Sequence, residues 1–130
     1  MKTIAVGSKG THAMTVGEEH LASKLDPSLA AVMSTPAMIG MMELAAAAAL
    51  KPFLDAGESS VGSAIEVQHV AATPPGHRVR AEAEVTKAEG RRLELRVRAF
   101  DEAQEIGSGT HRRAIVDTAK FNERLKAKLK

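Results

Sequence analysis

From Pro36 to Leu50 the chain carries one charged side chain, Glu43, in a run of small and apolar residues that includes five consecutive alanines, Ala45 to Ala49. A helix built from this run is apolar on every side and therefore belongs in a core. An ionised carboxylate in that core loses most of its hydration. Glu43 must then find hydrogen-bonding partners, take up a proton, or serve a site. The run is also shorter than the roughly 20 apolar residues of a membrane span, so a buried helix is expected and no membrane association.

The remaining composition narrows the class. A chain of 130 residues with 44% hydrophobic content reads as a single domain, residues 1–130, large enough to bury a core. It has no cysteine, which fits a reducing compartment. The first ten residues lack the apolar stretch of a signal peptide, so a cytoplasmic protein is expected. Net charge is only +2, and with no Trp or Tyr and three Phe there are no stacking platforms for bases. Nucleic acid is not an expected partner.

Beyond Gly57 the pattern changes to a two-residue alternation. Val61, Ser63, Ile65, Val67, His69 and Ala71 share one face of the first strand, which is expected to look inward. Thr73-Pro-Pro-Gly76 turns the chain. The next two strands alternate more strictly, with Val79, Ala81, Ala83 and Val85 inside, then Leu93, Leu95, Val97 and Ala99 after a turn at Glu89-Gly90-Arg91. Arg and Glu interleave on the opposite face, which reads as a solvated sheet face with cross-strand ion pairs. A further strand is expected over 104–118, a basic amphipathic helix over 119–130, and a short edge strand over 11–16.

These elements imply an α+β architecture. The long strands need a partner layer, and the apolar helix is the only one on offer. An antiparallel sheet wrapped around one long buried helix is the hot-dog fold. Open sheet edges and an all-round apolar helix further imply pairing of two protomers.

Three residues can carry chemistry. His69, on the inferred inward face, can act as a base beside a carboxylate, or can be a satisfied core histidine. Glu43 is its natural partner in either reading. Thr35 precedes Pro36, where a hydroxyl can cap the helix or sit in a site at the helix N-terminus. If every residue from Thr35 to Glu43 is helical, the two lie about 12 Å apart along the axis. Either the helix then starts near Gly40 with Thr35 folded back over it, or a site combines residues of two subunits. Met33, Met38, Met41 and Met42 can line an acyl pocket or fill a core. Gly107 and Gly109 share a strand face and mark a bulge or a close backbone approach. His12, His20, His77 and His111 show no metal-ligand spacing, so no metal is expected.

The segments Thr35-x4-Gly40-Met41-Met42-Glu43, Val61-Gly62-Ser63-Ala64-Ile65, His69-x-Ala-Ala-Thr-Pro-Pro-Gly76, Glu89-Gly-Arg-Arg-Leu93 and Glu105-Ile-Gly-Ser-Gly-Thr-His111 together resemble the fluoroacetyl-CoA thioesterase family of hot-dog proteins. The resemblance spans roughly residues 32–123. It implies a homodimer, with higher assembly open, that hydrolyses small acyl-CoA thioesters and needs no cofactor, coenzyme A being part of the substrate. By that resemblance Thr35, Glu43 and His69 match the catalytic set, Gly62 the substrate-proximal glycine, and Arg113 an arginine near the acyl pocket, which Met33 can help to line. Leu29 falls where the fluoroacetyl-selective enzyme carries a phenylalanine gate, so the acyl specificity does not carry over with the catalytic set. A non-catalytic acyl-CoA-binding module is the alternative reading.

Overall fold

The computed structural model describes residues 1–129. Strand β1 (Lys9–Thr15) leads through a 3-10 turn and a short helix α1 (Ala22–Leu25) to the long helix α2 (Thr35–Leu50). Four strands follow, β2 (Glu58–His69), β3 (Arg78–Glu89), β4 (Arg92–Phe100) and β5 (Glu105–Asp117), and then helix α3 (Thr118–Ala127). The strands form one antiparallel sheet in the order β1-β3-β4-β5-β2. This curled sheet with one long helix against it is the hot-dog arrangement.

The two-residue alternation is realised most fully in the centre of the sheet. Val79, Ala81, Ala83 and Val85 of β3 and Leu93, Leu95, Val97 and Ala99 of β4 are all buried. They meet Met38, Met41, Met42, Ala45, Ala46, Ala49 and Leu50 of α2, also buried. Gly10 of β1 shows how close helix and sheet come. A Cβ there would run into the Ala45 carbonyl and the Ala49 amide, so only glycine lets α2 lie on the strand. On the outer face, Arg96 pairs with Glu84, Arg112 with Glu94, and Arg98 with Glu105 at 2.8 Å. The interleaved charges thus act as cross-strand pairs on a wet surface.

Two expectations need correction. Thr35 does not cap α2. Ser34 does, its Oγ accepting from the Ala37 amide at 3.1 Å, while Thr35 and Pro36 open the first turn. The helix is therefore continuous from Thr35, and a start near Gly40 is excluded. Second, the inward set of β2 is not one unbroken alternation. The register slips between Gly62 and Ala64, leaving Ser63 as the extra residue, with its Oγ donating to the Arg112 carbonyl at 3.2 Å. A bulge inverts the phase of a strand. Ile65, Val67 and His69 oppose the inward His111, Gly109 and Gly107, but before the bulge it is Ser60 and Gly62, not Val61 and Ser63, that oppose Ile115 and Arg113. Within one chain α2 is buried along most of its surface but not covered all round. Pro36, Leu44 and Ala48, with the half-buried Gly40 between the first two, recur at multiples of four residues and form an exposed stripe, and Leu44 is 53% exposed. The core lies under β1, β3 and β4, whereas β2 is an edge strand with no fully buried residue.

Candidate active site

Two polar clusters lie along α2. The first is at its N-terminus, where the Ser34 cap fixes the helix start and so the position of Thr35. His69 ends β2, opposite Gly107. The Thr35 Oγ1 stands 2.8 Å from His69 Nδ1, a direct hydrogen bond between two elements far apart in sequence. His69 Nε2 is buried and has no hydrogen-bond partner among the described residues. Met33, Ser34, Thr35 and His69 line an open cleft of about 320 Å³ whose other wall is Val70 to Ala72. Met33 is buried, and its amide donates to the Thr73 carbonyl. The Thr73 hydroxyl donates in turn to Asp101 at 2.9 Å, which braces this wall against the β4–β5 connection.

The second cluster surrounds Glu43. Its carboxylate lies over Gly62, where a Cβ would sit 2.6 Å from Glu43 Oε1, 3.2 Å from His111 Cε1 and 3.4 Å from Arg113 Nη1. Gly62 is thus needed for the close approach of three polar side chains. Arg113 is buried and held at three points. Its Nε donates to Ser60 Oγ at 3.0 Å, Nη2 to the Ser60 carbonyl at 2.9 Å, and Nη1 contacts His111 Nε2 at 3.2 Å. Burial lowers the pKa of both Arg113 and His111, and the Glu43 carboxylate opposes that shift in each.

The structure therefore brings together Thr35, His69 and Met33 in one group, and Glu43, Gly62 and Arg113 in another. Eight residues of continuous helix separate Thr35 from Glu43, about 12 Å along the axis. Leu29 joins neither group. It lies in the turn after Asp26, half exposed, its amide bonded to the Asp26 carbonyl. His111 and Ser60 belong to the Glu43 cluster but carry no spacing signal. Their places follow from the inward phase of β5 and from the bulge in β2. The Gly107 and Gly109 pair marks close approach, since a Cβ on Gly107 would meet the Met38 sulfur at 2.5 Å and one on Gly109 would meet the Glu66 carbonyl, and the register of β4 and β5 also slips beside Gly107, where Ile106 is the extra residue. Among the described residues no group of three or more His, Asp or Glu side chains could hold a metal ion, and no helix is long and apolar enough to cross a membrane.

An Oγ hydrogen-bonded to an imidazole is the geometry that nucleophilic catalysis by a hydroxyl and a base requires. A carboxylate pressed against a glycine beside a buried guanidinium is a second concentration of polar groups along the same helix. Comparison with known proteins gives this chemistry a family. The pattern of the fluoroacetyl-CoA-specific thioesterase family matches residues 16–119. The chain is 43% identical over 129 residues to the fluoroacetyl-CoA thioesterase of Streptantibioticus cattleyicolor, covering 95% of this chain and 93% of that one. The crystal structure of the fluoroacetyl-CoA thioesterase FlK superposes with a TM-score of 0.91 at 42% identity, over 98% of both chains. A FlK variant with serine in place of a threonine, solved with acetyl-CoA, gives 0.91 over 95% of this chain and 98% of that one, at 42% identity. A thioesterase superfamily member from Thermus thermophilus is 35% identical with a TM-score of 0.90, over 99% of this chain and 98% of its own. This chain belongs to the fluoroacetyl-CoA-specific thioesterase family.

Proposed function

We propose that the protein hydrolyses short-chain acyl-CoA thioesters to the free acid and coenzyme A, at sites shared between two copies of the chain in the cytoplasm. The observation that carries this reading is the 2.8 Å contact between Thr35 Oγ1 and His69 Nδ1. Support comes from family membership and from the complex of a related thioesterase with acetyl-CoA.

For His69 to act as base, Nδ1 must accept the threonine proton, which leaves the ring hydrogen on Nε2. That atom is buried without a partner among the described residues, and a buried unpaired donor costs about 1–3 kcal/mol. A carboxylate at Nε2 would satisfy it and hold the tautomer, the role of the third member of a nucleophile-base-acid set. Glu43 of the same chain lies about 12 Å along α2 from Thr35, the residue that His69 contacts. Glu43 of a second copy meets the requirement if the exposed Pro36, Leu44 and Ala48 stripe and the β2 edge are the faces that pair.

In the first step Thr35 Oγ bonds to the thioester carbonyl carbon and its proton passes to His69 Nδ1. The positive end of the α2 dipole at Thr35 stabilises the oxyanion. The C–S bond then breaks, and the proton goes to the coenzyme A sulfur. Water attacks the acyl-threonine ester, gives its proton to His69, and releases the acid with Thr35 restored.

The test is thiol release from acetyl-, fluoroacetyl-, propionyl- and phenylacetyl-CoA by wild type, Glu43→Ala and His69→Ala. Both variants should be inactive when folded. Mixed after reversible dissociation, they should recover about a quarter of wild-type activity, since half the dimers are mixed and one of two sites in each is intact. No recovery would place each site within one chain, and acyl-CoA binding without turnover by wild type would make the protein a binding module.

A further inference from the structure

The Thr35, His69 and Glu43 chemistry does not use His111, although this is the most buried titratable side chain of the β2–β5 region, at 1% exposure. Its two ring nitrogens are both engaged, and their partners decide the tautomer. Nδ1 lies 2.9 Å from the Ala64 carbonyl oxygen, which can only accept, so Nδ1 carries the hydrogen. Nε2 is then a lone pair, and it faces Arg113 Nη1 at 3.2 Å. A neutral His111 of this one tautomer therefore accepts from the guanidinium. Ser60 holds the other side of the same group through its hydroxyl and its carbonyl.

Arg113 presents five N–H donors. His111 and Ser60 engage three of them, leaving one on each terminal nitrogen. Nη1 is the nitrogen beside Gly62 and the Glu43 carboxylate. Among the described residues Arg113 has no carboxylate within ion-pairing distance, so its charge is buried against neutral acceptors. A guanidinium on a flexible stem keeps such a position only if its partners fix it. Ala64 directly follows the Ser63 bulge that turns Gly62 inward, so His111 also ties the bulge to the arginine.

We propose that His111 is a positioning residue that, as the Nδ1–H tautomer, holds the Arg113 guanidinium over Gly62 beside Glu43 so that its free N–H groups meet the acyl-CoA. The proposal rests on the thioesterase reading for its activity readout and on the hydrogen-bond geometry for its structural one.

The experiment is a double-mutant cycle in kcat/KM with a nitrogen-15 NMR measurement on the wild-type ring. His111→Leu should lower kcat/KM about tenfold, the scale of one hydrogen bond to a charged group. In an Arg113→Ala background the same substitution should cost nothing further. His111→Gln should restore activity to within about threefold, because its amide offers a donor and an acceptor spaced much like the ring nitrogens. The spectrum should show hydrogen on Nδ1 and a bare Nε2. Equal losses in both backgrounds, or wild-type activity in folded His111→Leu, would overturn the proposal. So would hydrogen on Nε2, a result that does not depend on any variant folding. If wild type turns over no thioester, the functional reading fails, and the tautomer alone then decides whether His111 positions Arg113.

Discussion

Gly62→Ala separates the demands of chemistry from those of folding. The φ of Gly62 is not in the left-handed region, so alanine is compatible with the backbone. Its Cβ would stand 2.6 Å from Glu43 Oε1, and an ordinary contact is about 3.4 Å, so the carboxylate must retreat by about 0.8 Å. The obstacle is the far end of a flexible side chain, which can yield. Loss of glycine from a strand also recovers some conformational entropy, so stability should change by less than about 1 kcal/mol. A displacement of this size at a reacting group can cost about 10²-fold in rate. We expect kcat/KM for acyl-CoA to fall by about that factor while the thermal melt stays near wild type. Gly10→Ala is the contrasting control. There the Cβ meets the backbone of α2 at Ala45 and Ala49, which cannot yield, and overpacking should destabilise by about 1–3 kcal/mol. Thiol release and melting of both variants decide the matter. Wild-type turnover in Gly62→Ala, or a melt depressed as far as that of Gly10→Ala, would refute the reasoning.

The remaining predictions concern the helix start, the exposed stripe and pH. Ser34→Ala should destabilise by about 1 kcal/mol with the Thr35–His69 pair intact, whereas Thr35→Ala should leave the melt unchanged and abolish turnover, with Thr35→Ser active; equal melting losses would mean that Thr35 does cap the helix. Leu44→Glu places a charge on the exposed stripe and should give a monomer without turnover by sedimentation and thiol release, and a dimer of unchanged activity would clear the stripe of any interface role. His111 faces Arg113 from its own strand and Glu43 from α2, and burial is the main reason its pKa lies below the ordinary value. The unfolded chain therefore takes up a proton at His111 that the folded chain refuses. Stability from this group is complete above about pH 6.5 and declines as pH falls through that value. Glu58 and Glu105, whose pKa values are lowered, act in a more acid range. Urea midpoints between pH 5 and 8 should fall less steeply towards acid in His111→Gln than in wild type, and parallel curves would contradict this.

The sequence alone determined the strands of the sheet's centre and the identity of its long helix, because burial imposes a period on side chains and the period is visible without coordinates. The alternation in β3 and β4 and the uncharged run around Glu43 are of this kind. Thr35, Glu43 and His69 also stand out in the sequence, each a polar group set in an apolar context or at a helix start, and the family resemblance is what proposes them as a catalytic set. What only the tertiary structure decided depends on register and on contacts between distant elements. A single extra residue at Ser63 reverses which side chains of β2 face inward, and no local pattern records it. Capping fell to Ser34 because the backbone turns one residue earlier than the Thr-Pro pair suggests. Ser60 of β2 meets Arg113 of β5, 53 residues further along the chain, a proximity set by strand pairing rather than by spacing, and His111 reaches the same guanidinium from two residues away on β5. The gap between Thr35 and Glu43 follows from helical rise, which the sequence could state as a condition. Only the continuity of α2 from Thr35 made it a fact, because a hydrogen-bonded helix fixes the distance between its residues and a loop does not.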